Sequence, residues 1–454
     1  MRVHDACRIP ALLDDAPIVI LGYGPVGSRP KGTGNDALAG DGTIARRRLT
    51  LGYLTAFFAT SHVERHIIAI ALPAIGVEFA LNDAQLGVLS GIAFSLVFAA
   101  GAVPLGMTTA FMDRRHVIAA SIFLWSAMTA LSGLATGFAF LLLTRIGVGL
   151  AGAAGVPAAH RAVSETQPES AHVRSFAVFN AGANIGIALA LVGGGILVQL
   201  YGWRVAMIVA GLPGLVLAGL AWPAMERGAA MPESGHGGAR TLLREAASAV
   251  LSAPHKRLAF LGVVLTSVIT YGTLAWLPSF LIRAHGMSAQ ETGIFLALAL
   301  GVGGTLGTVA GGHAVSRAAR RNPAMTLWLP MLALLACKPL IIVAMLTESA
   351  MLARWLLVPP LMVGALHFVS ALAVLHEGLE GRTRLMVSAF LLTCGNLIGY
   401  TLGPLIIGVG SWLMADAVPG GERIGHAMIG LQVLSALGLY AYWRAGFAYA
   451  SARG

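Results

Sequence analysis

Along most of its length the chain alternates long stretches in which nearly every position is apolar with short polar punctuation. Twelve such runs occur, near 49–72, 84–109, 117–135, 138–160, 174–200, 203–224, 258–282, 290–313, 324–346, 351–375, 384–413 and 425–445. Each matches the roughly 20 helical residues needed to cross a hydrocarbon core of about 30 Å. The runs are continuous rather than alternating with a period of two, and they are rich in Gly, Ala and Leu. That pattern predicts helices and not the strands of a transmembrane barrel. The expected fold class is therefore all-α, a polytopic membrane protein with twelve transmembrane helices. Composition agrees, since 57% hydrophobic and 11% charged residues exclude a soluble globular surface for 454 residues.

A net charge of +10 suits nucleic acid or an anionic surface until its distribution is read. Loops after even-numbered runs hold most of the bases, among them Arg114, Arg115, Arg161, Arg174, Arg257, Arg317, Arg320 and Arg321, whereas the opposite loops offer Arg204, Arg283, Arg354 and Arg423. The positive-inside rule then predicts a cell (inner) membrane protein with both termini and the central loop cytoplasmic, and no nucleic-acid partner. Cys7, Cys337 and Cys394 show neither metal-ligand nor redox spacing. No cluster of nucleophile, base and orienting group occurs, so neither enzyme activity nor a cofactor is expected. Gly22, Gly24 and Gly27 follow a short β-like run as in a dinucleotide fingerprint, but the continuation Ser-Arg-Pro-Lys-Gly cannot supply the helix that would hold a pyrophosphate. Residues 1–45 are read as a flexible cytoplasmic tail without a signal peptide.

An internal repeat underlies the twelve runs. An offset of 206 places "LNDAQLGVLSGIAFSLVFAAGAVPLGMTTAFMDRR" on "MSAQETGIFLALALGVGGTLGTVAGGHAVSRAARR". It pairs Asn82 with Ser288 as helix N-caps, Gly87 with Gly293, Gly106 with Gly312, and Arg114 and Arg115 with Arg320 and Arg321. Two pseudo-symmetric six-helix halves, 46–224 and 258–446, flank a polar loop at 225–257, with a short tail at 447–454. Such a plan belongs to secondary transporters, whose site lies near the midplane between the halves.

These residues resemble the major facilitator superfamily from Leu49 onward. "PLGMTTAFMDRR" is similar to the family's loop between helices 2 and 3, except that Ala110 replaces the usual Asp and Ser316 holds the same place in the second copy. The resemblance implies a cytoplasmic gating loop of Asp113, Arg114, Arg115, Arg320 and Arg321, with Asp113 standing in for the missing acid. "TRIGVGLAGAAGVPAAHRAVSE" and "FNAGANIG" followed by "YGWR" resemble the anion:cation symporter branch, especially hexuronate-type carriers. In that branch helix 1 carries an Asp-Arg pair, matched here by Glu64 and Arg65, and helix 4 carries Arg145. Gly152 stands where the branch has a second embedded Glu. "LAWLPSFLIRAHGMSAQETG" and "NLIGYTLGP" resemble spinster-like lipid carriers as well.

A charge at the bilayer centre costs about 2.5–3.5 kcal/mol and persists only beside a cavity or a partner. Glu64 and Arg65 are sequence neighbours, hence about 100° apart on a helix, and cannot pair with each other as i,i+4 residues do. Arg145 is the counterion expected for Glu64, which leaves the Arg65 fork for an external carboxylate or phosphate. A protonatable Glu64 would couple proton movement to substrate movement. With Gly152 removing the second acid, one proton per cycle is expected, and Gly152→Glu would restore the other. Asn180 and Asn184 lie one turn apart, as polar ligand contacts or interhelical glue. Tyr271, Trp276 and Asn396 come from elements that border the cavity in the family's fold. Lys338 is expected to snorkel or to bond a carbonyl loosened by Pro339, away from that cavity. His62 and His66 flank the charged pair.

The function expected is uptake of a small organic anion, a carboxylate, by proton-coupled alternating access in a monomer. The alternatives are a spinster-like exporter of an amphipathic lipid or drug, marked by a wide apolar cavity, and a substrate sensor that does not transport.

Overall fold

The structure is a computed structural model that describes residues 41–109, 112–226, 239–379 and 381–453. The fingerprint glycines, nearly all of the 1–45 tail and Ala110 lie outside the described residues. The chain folds into α1 (Asp41–Glu78), α2 (Asp83–Ser90), α3 (Ile92–Thr109), α4 (Arg114–Ser132), α5 (Phe138–Thr166), α6 (His172–Ala224) and α7 (Ala239–Leu251). It continues with α8 (Pro254–His285), α9 (Ala289–Ala297), a π-helical turn at Leu298–Gly303, α10 (Gly304–Ala319), α11 (Met325–Leu346), α12 (Ala350–Val363), α13 (Leu366–Leu375), α14 (Gly381–Leu413) and α15 (Glu422–Ser451).

Among the described residues, nine stretches are long and apolar enough to cross a membrane, and one of them, Arg174–Ala224, holds two spans. It turns back at Gly202, whose φ of 82° is open to glycine but strained for other residues. The spans in α1 and α4, which carry Glu64 with Arg65 and Arg114 with Arg115, complete the twelve. Three spans are interrupted. The second breaks at Gly91 between α2 and α3, the eighth passes through the π-helical turn, and the tenth breaks between α12 and α13 just after Pro359 and Pro360. Helix α7 falls inside the stretch read as polar loop. Its Ala246 and Val250, one turn apart, are buried while Arg244 and Glu245 are exposed.

The repeat is visible in the way the halves meet, on the side of the membrane opposite the chain's termini. Asn82 and Ser288 form matching capping boxes with Gln85 and Glu291. Five residues further on, Gly87 crosses α14, where a Cβ would come within 2.8 Å of the Pro404 carbonyl and 3.3 Å of Gly408 Cα. Gly293 crosses α6 in the same way, against the Leu191 carbonyl and 3.6 Å from Gly195 Cα. Small residues on both helices permit this backbone-to-backbone approach. Gly312 has open space around it, so that matched position makes no close crossing.

One of the two crossings is also clamped by charge. Arg283 Nη1 donates to Asp83 Oδ1 at 2.6 Å, and Ser411 Oγ donates to Asp83 Oδ2 at 2.6 Å. Asp83 belongs to the first half and its partners to the second. The equivalent position in the repeat is Ala289, whose backbone N–H donates to Gln199 Oε1 at 3.3 Å. On the same side, Trp203 Nε1 and Arg204 Nε donate to Glu78 at 2.6 and 2.9 Å, and Arg204 Nη1 donates to the Gly133 carbonyl at 3.1 Å. The "YGWR" motif thus ties the loops of the first half together, and the Arg204 guanidinium holds the Glu78 carboxyl below its ordinary range.

On the side of the termini, the ion pairs seen among the described residues tie elements of one half to each other or to the adjoining loop or tail. Asp113 caps α4, accepting from Arg115 N at 3.0 Å and pairing with Arg115 Nη2 at 3.0 Å. Arg114 pairs with Glu165, Arg46 with Glu226 at 3.0 Å, and Arg453 with Glu377 at 2.6 Å. Arg320 and Arg321 are exposed at the end of α10.

Asp83→Asn removes the charge that links α2 to α8 and α14. A hydrogen bond to a charged group contributes about 1.5–3 kcal/mol, so the far side is expected to open in a population raised roughly 10- to 100-fold. Spin-label distances between the ends of α2 and α14 in reconstituted protein measure this, and Ser411→Ala is expected to shift them less.

Candidate functional site

Adjacent residues on α1 send their side chains into different surroundings, as the helical rotation requires. Glu64 is fully buried inside the first half, where Ser126 Oγ on α4 donates to its Oε1 at 2.7 Å. Gly214 on α6 leaves room for the carboxyl, since a Cβ there would come within 3.0 Å of Oε1. Oε2 is buried without a hydrogen-bond partner. Arg145 acts on this carboxyl electrostatically but does not come within the 4.0 Å of an ion pair, because its Nη2 donates to Ser132 Oγ at 3.2 Å. The expected direct Glu64–Arg145 pair is therefore replaced by two serines of α4, one for each charge.

Arg65 faces the second half. Its Cζ lies 4.4 Å from the Phe94 ring centroid, 5.5 Å from Phe98 and 5.6 Å from Tyr400. These ring faces hold the guanidinium by cation–π attraction, and Arg65 Nε is buried without a hydrogen-bond partner. Tyr400 stacks on Tyr271 with centroids 3.8 Å apart, and Tyr271 Oη donates to Asn396 Oδ1 at 2.7 Å. Arg65, His66, Ser90, Arg145, Tyr271 and Tyr400 enclose a cavity of about 40 Å³ between the halves, which is room for water and not for a substrate. Tyr271 and Leu274 also line a much larger cavity of about 640 Å³ that runs into the second half.

Of the residues singled out in the sequence, Arg65, His66, Arg145 and Tyr271 meet around the small cavity, and Asn396 is joined to them through Tyr271. Asn184 lines the large cavity, on the face of α6 opposite Gly182 and Gly186, which pack on α1. Asn180 is turned onto its own helix, donating to the Phe176 carbonyl at 2.8 Å. Trp276 is fully buried and donates to the Pro404 carbonyl at 2.9 Å, a packing contact between α8 and α14. His62 Nδ1 contacts the Phe58 carbonyl at 2.9 Å and its ring stacks on His66. Lys338 departs from expectation. Rather than bonding a backbone carbonyl, it donates to Gln432 Oε1 at 2.5 Å on the wall of the large cavity.

Sequence reasoning missed Tyr400 and Phe94, although both lie in quoted stretches, because a lone aromatic in an apolar run carries no signal until a charge is placed beside it. Gly152 is a further correction. A Cβ there would come within 2.7 Å of the Trp125 ring and 3.1 Å of Phe98. The space a second carboxylate would need is filled by aromatic rings, so Gly152→Glu does not restore an acid.

Two six-helix halves related by a repeat, with buried charges where they meet, define a secondary transporter. The chain belongs to the Major Facilitator Superfamily, whose family model matches residues 49–404, and this makes it a multi-pass membrane transporter and not an enzyme. It is similar to an MFS-type efflux pump of Mycolicibacterium smegmatis, with 27% identity over 406 residues that cover 88% of this chain and 92% of that one. A probable L-galactonate transporter of Escherichia coli is 26% identical over 277 residues, 58% of this chain and 61% of its own length. Among solved structures, a bacterial homologue of the human lysosomal transporter spinster, inward-facing and unoccupied, matches with a TM-score of 0.78 at 25% identity over 89% of this chain and 98% of that one.

Overpacking a tight site costs typically 1–3 kcal/mol. Gly152→Ala is expected to lose about that much stability and Gly152→Glu more, read as lower unfolding temperatures of the purified protein in detergent.

Proposed function

We propose that the chain moves an organic anion across the membrane by alternating access, with Arg65 and Arg145 as the groups that attract the anion. One observation carries this reading. Two buried guanidinium groups face a cavity between the halves, and neither is paired with a carboxylate among the described residues. Positive charge at membrane depth without a directly paired carboxylate is expensive, and an entering carboxylate relieves it through bidentate hydrogen bonds. Tyr271 and Asn396 supply polar surroundings, and Asn184 lies on the wall of the adjoining large cavity. The names of relatives support the substrate class, since the probable L-galactonate transporter is joined by a benzoate transport protein of Acinetobacter baylyi at 27% identity over 293 residues.

The arginine-rich loops support cytoplasmic termini in the cell membrane. The far side, clamped by Asp83 and Arg283, is then external, and the arrangement is inward-facing, as in the spinster homologue. Glu64 is the proton-carrying group in this reading, with Oε2 the atom that holds the proton. Because Glu64 precedes Arg65 directly, a change at one moves the backbone of the other. The monomer is the transporting unit. Export of an amphipathic molecule is the second reading, and the mainly aliphatic walls of the 640 Å³ cavity and the efflux-pump relative favour it.

Uptake of radiolabelled galactonate, benzoate and an amphipathic dye into proteoliposomes, with and without a pH gradient, separates the two. Arg65→Ala and Arg65→Lys are both expected to raise the apparent KM for the carboxylate at least tenfold while the protein still inserts, because Lys keeps the charge but loses the planar fork. Unchanged carboxylate transport by Arg65→Ala would remove the anion site from this position. Glu64→Gln is expected to abolish pH-driven uptake yet keep substrate exchange, and full pH-driven uptake would overturn its role as proton carrier.

A further inference from the structure

We infer that the cavity within the second half is a ligand site in its own right, built for a monoanion with an apolar body whose charged end pairs with Lys338. This holds whether or not Arg65 binds the transported anion. The cavity, about 640 Å³, lies among α8, α10, α11, α12, α13 and α15, with Leu392 of α14 and Asn184 of α6 at its wall, and its volume falls in the range of small-molecule sites. Lys338, past the middle of α11, projects its ammonium into it. Its protein partner is the neutral Gln432 Oε1 at 2.5 Å, and no carboxylate among the described residues lies within ion-pair distance. An ammonium has three donors, so two remain for a ligand.

The other polar groups on the wall sharpen the selection. The hydroxyls of Ser267, Thr270, Thr305 and Thr308 each donate to a carbonyl of their own helix, at 2.8, 3.0, 2.6 and 2.8 Å. Their hydrogens are thus committed and they offer a ligand only acceptor lone pairs. A sugar acid, whose many hydroxyls need donors as well as acceptors, is poorly served. The Asn184 amide and the Thr273 hydroxyl, the latter without a partner among the described residues, are further donors on the wall. The one charged donor is the Lys338 ammonium, side by side with the Gln432 amide and with His367 close enough to Lys338 to interact electrostatically, and this pair suits a single carboxylate. Elsewhere the wall is aliphatic and aromatic, including Leu334, Ile341, Leu361, Phe368 and Leu439. The π-helical turn beside it, Leu298–Gly303, is a geometry that recurs at functional sites. The ligand class is a carboxylate on an aromatic ring or alkyl chain, arriving from water or from the lipid.

Equilibrium binding of radiolabelled benzoate and decanoate to the full chain in lipid nanodiscs, with empty nanodiscs subtracted, tests this. Saturable benzoate binding identifies a soluble source, and saturable decanoate binding alone identifies a membrane-derived one. Lys338→Met is expected to weaken binding of the bound probe at least about tenfold, Lys338→Arg by no more than about threefold, and Arg65→Ala is expected to leave the Lys338-dependent component in place. Gluconate is expected not to compete for that component. In the unmodified protein, neutral benzamide or decanamide is expected to bind at least about tenfold more weakly than its acid, a comparison that needs no variant to fold. The inference is overturned by absence of saturable binding of both probes, by unchanged binding in Lys338→Met, by equal affinity for acid and amide, or by competition from gluconate. Loss of binding in Arg65→Ala with none in Lys338→Met overturns it while supporting the central anion site.

Discussion

Two helices can approach backbone to backbone only where neither presents a side chain, and this constraint decides how the two halves of the transporter meet. Gly87 faces Gly408 across α2 and α14, and Gly293 faces Gly195 across α9 and α6. Lipid gives helices no hydrophobic reason to associate, so close packing and interhelical hydrogen bonds have to hold them. The same crossings set the depth of the central site. A Cβ at Gly91 would meet the Tyr400 carbonyl at 2.6 Å, so the break between α2 and α3 brings Tyr400 beside Phe94 and the Arg65 guanidinium.

Within that frame the charges are distributed by helix rotation. Glu64 turns into the first half and Arg65 toward the second, although they share a peptide bond. Helix α4 serves both sides of the arrangement with neutral groups, Ser126 for Glu64 and Ser132 for Arg145. The acid and the base are consequently each held by a hydroxyl of its own on α4, rather than by an ion pair that would hold them together regardless of the ligand. Arg65 rests against ring faces and the Tyr400 hydroxyl, weaker partners than a carboxylate, and an arriving anion has no internal carboxylate to displace.

The fold was legible because membrane helices announce themselves by length and apolarity, and the repeat because Gly87 and Gly293 are fixed by the crossing they make. Arg65 and Glu64 stood out since charge is rare at that depth. What stayed hidden depends on distances between segments far apart in the chain. Nothing in "LACKPLII" tells that Lys338 meets Gln432, nearly a hundred residues later, and the Glu64–Arg145 pair was a sound guess from charge alone that Ser126 and Ser132, each bonding one of the two charges, replace. Gly152 reads as a missing acid in one dimension and as a seat for Trp125 in three.

The two crossings are equal in shape but not in chemistry. Asp83 gives one of them a charged clamp, and Ala289 leaves the other with packing and a single amide contact. Electrostatic contacts weaken as ionic strength rises, whereas packing does not respond to salt in that way. The Asp83–Arg283 pair is largely shielded from water and is screened less than an exposed pair would be, so the edge between α2 and α14 responds to salt weakly and the edge between α9 and α6 has no ion pair to respond. A molecule built from two near-copies of one fold has in this way acquired a preferred side on which to begin to open.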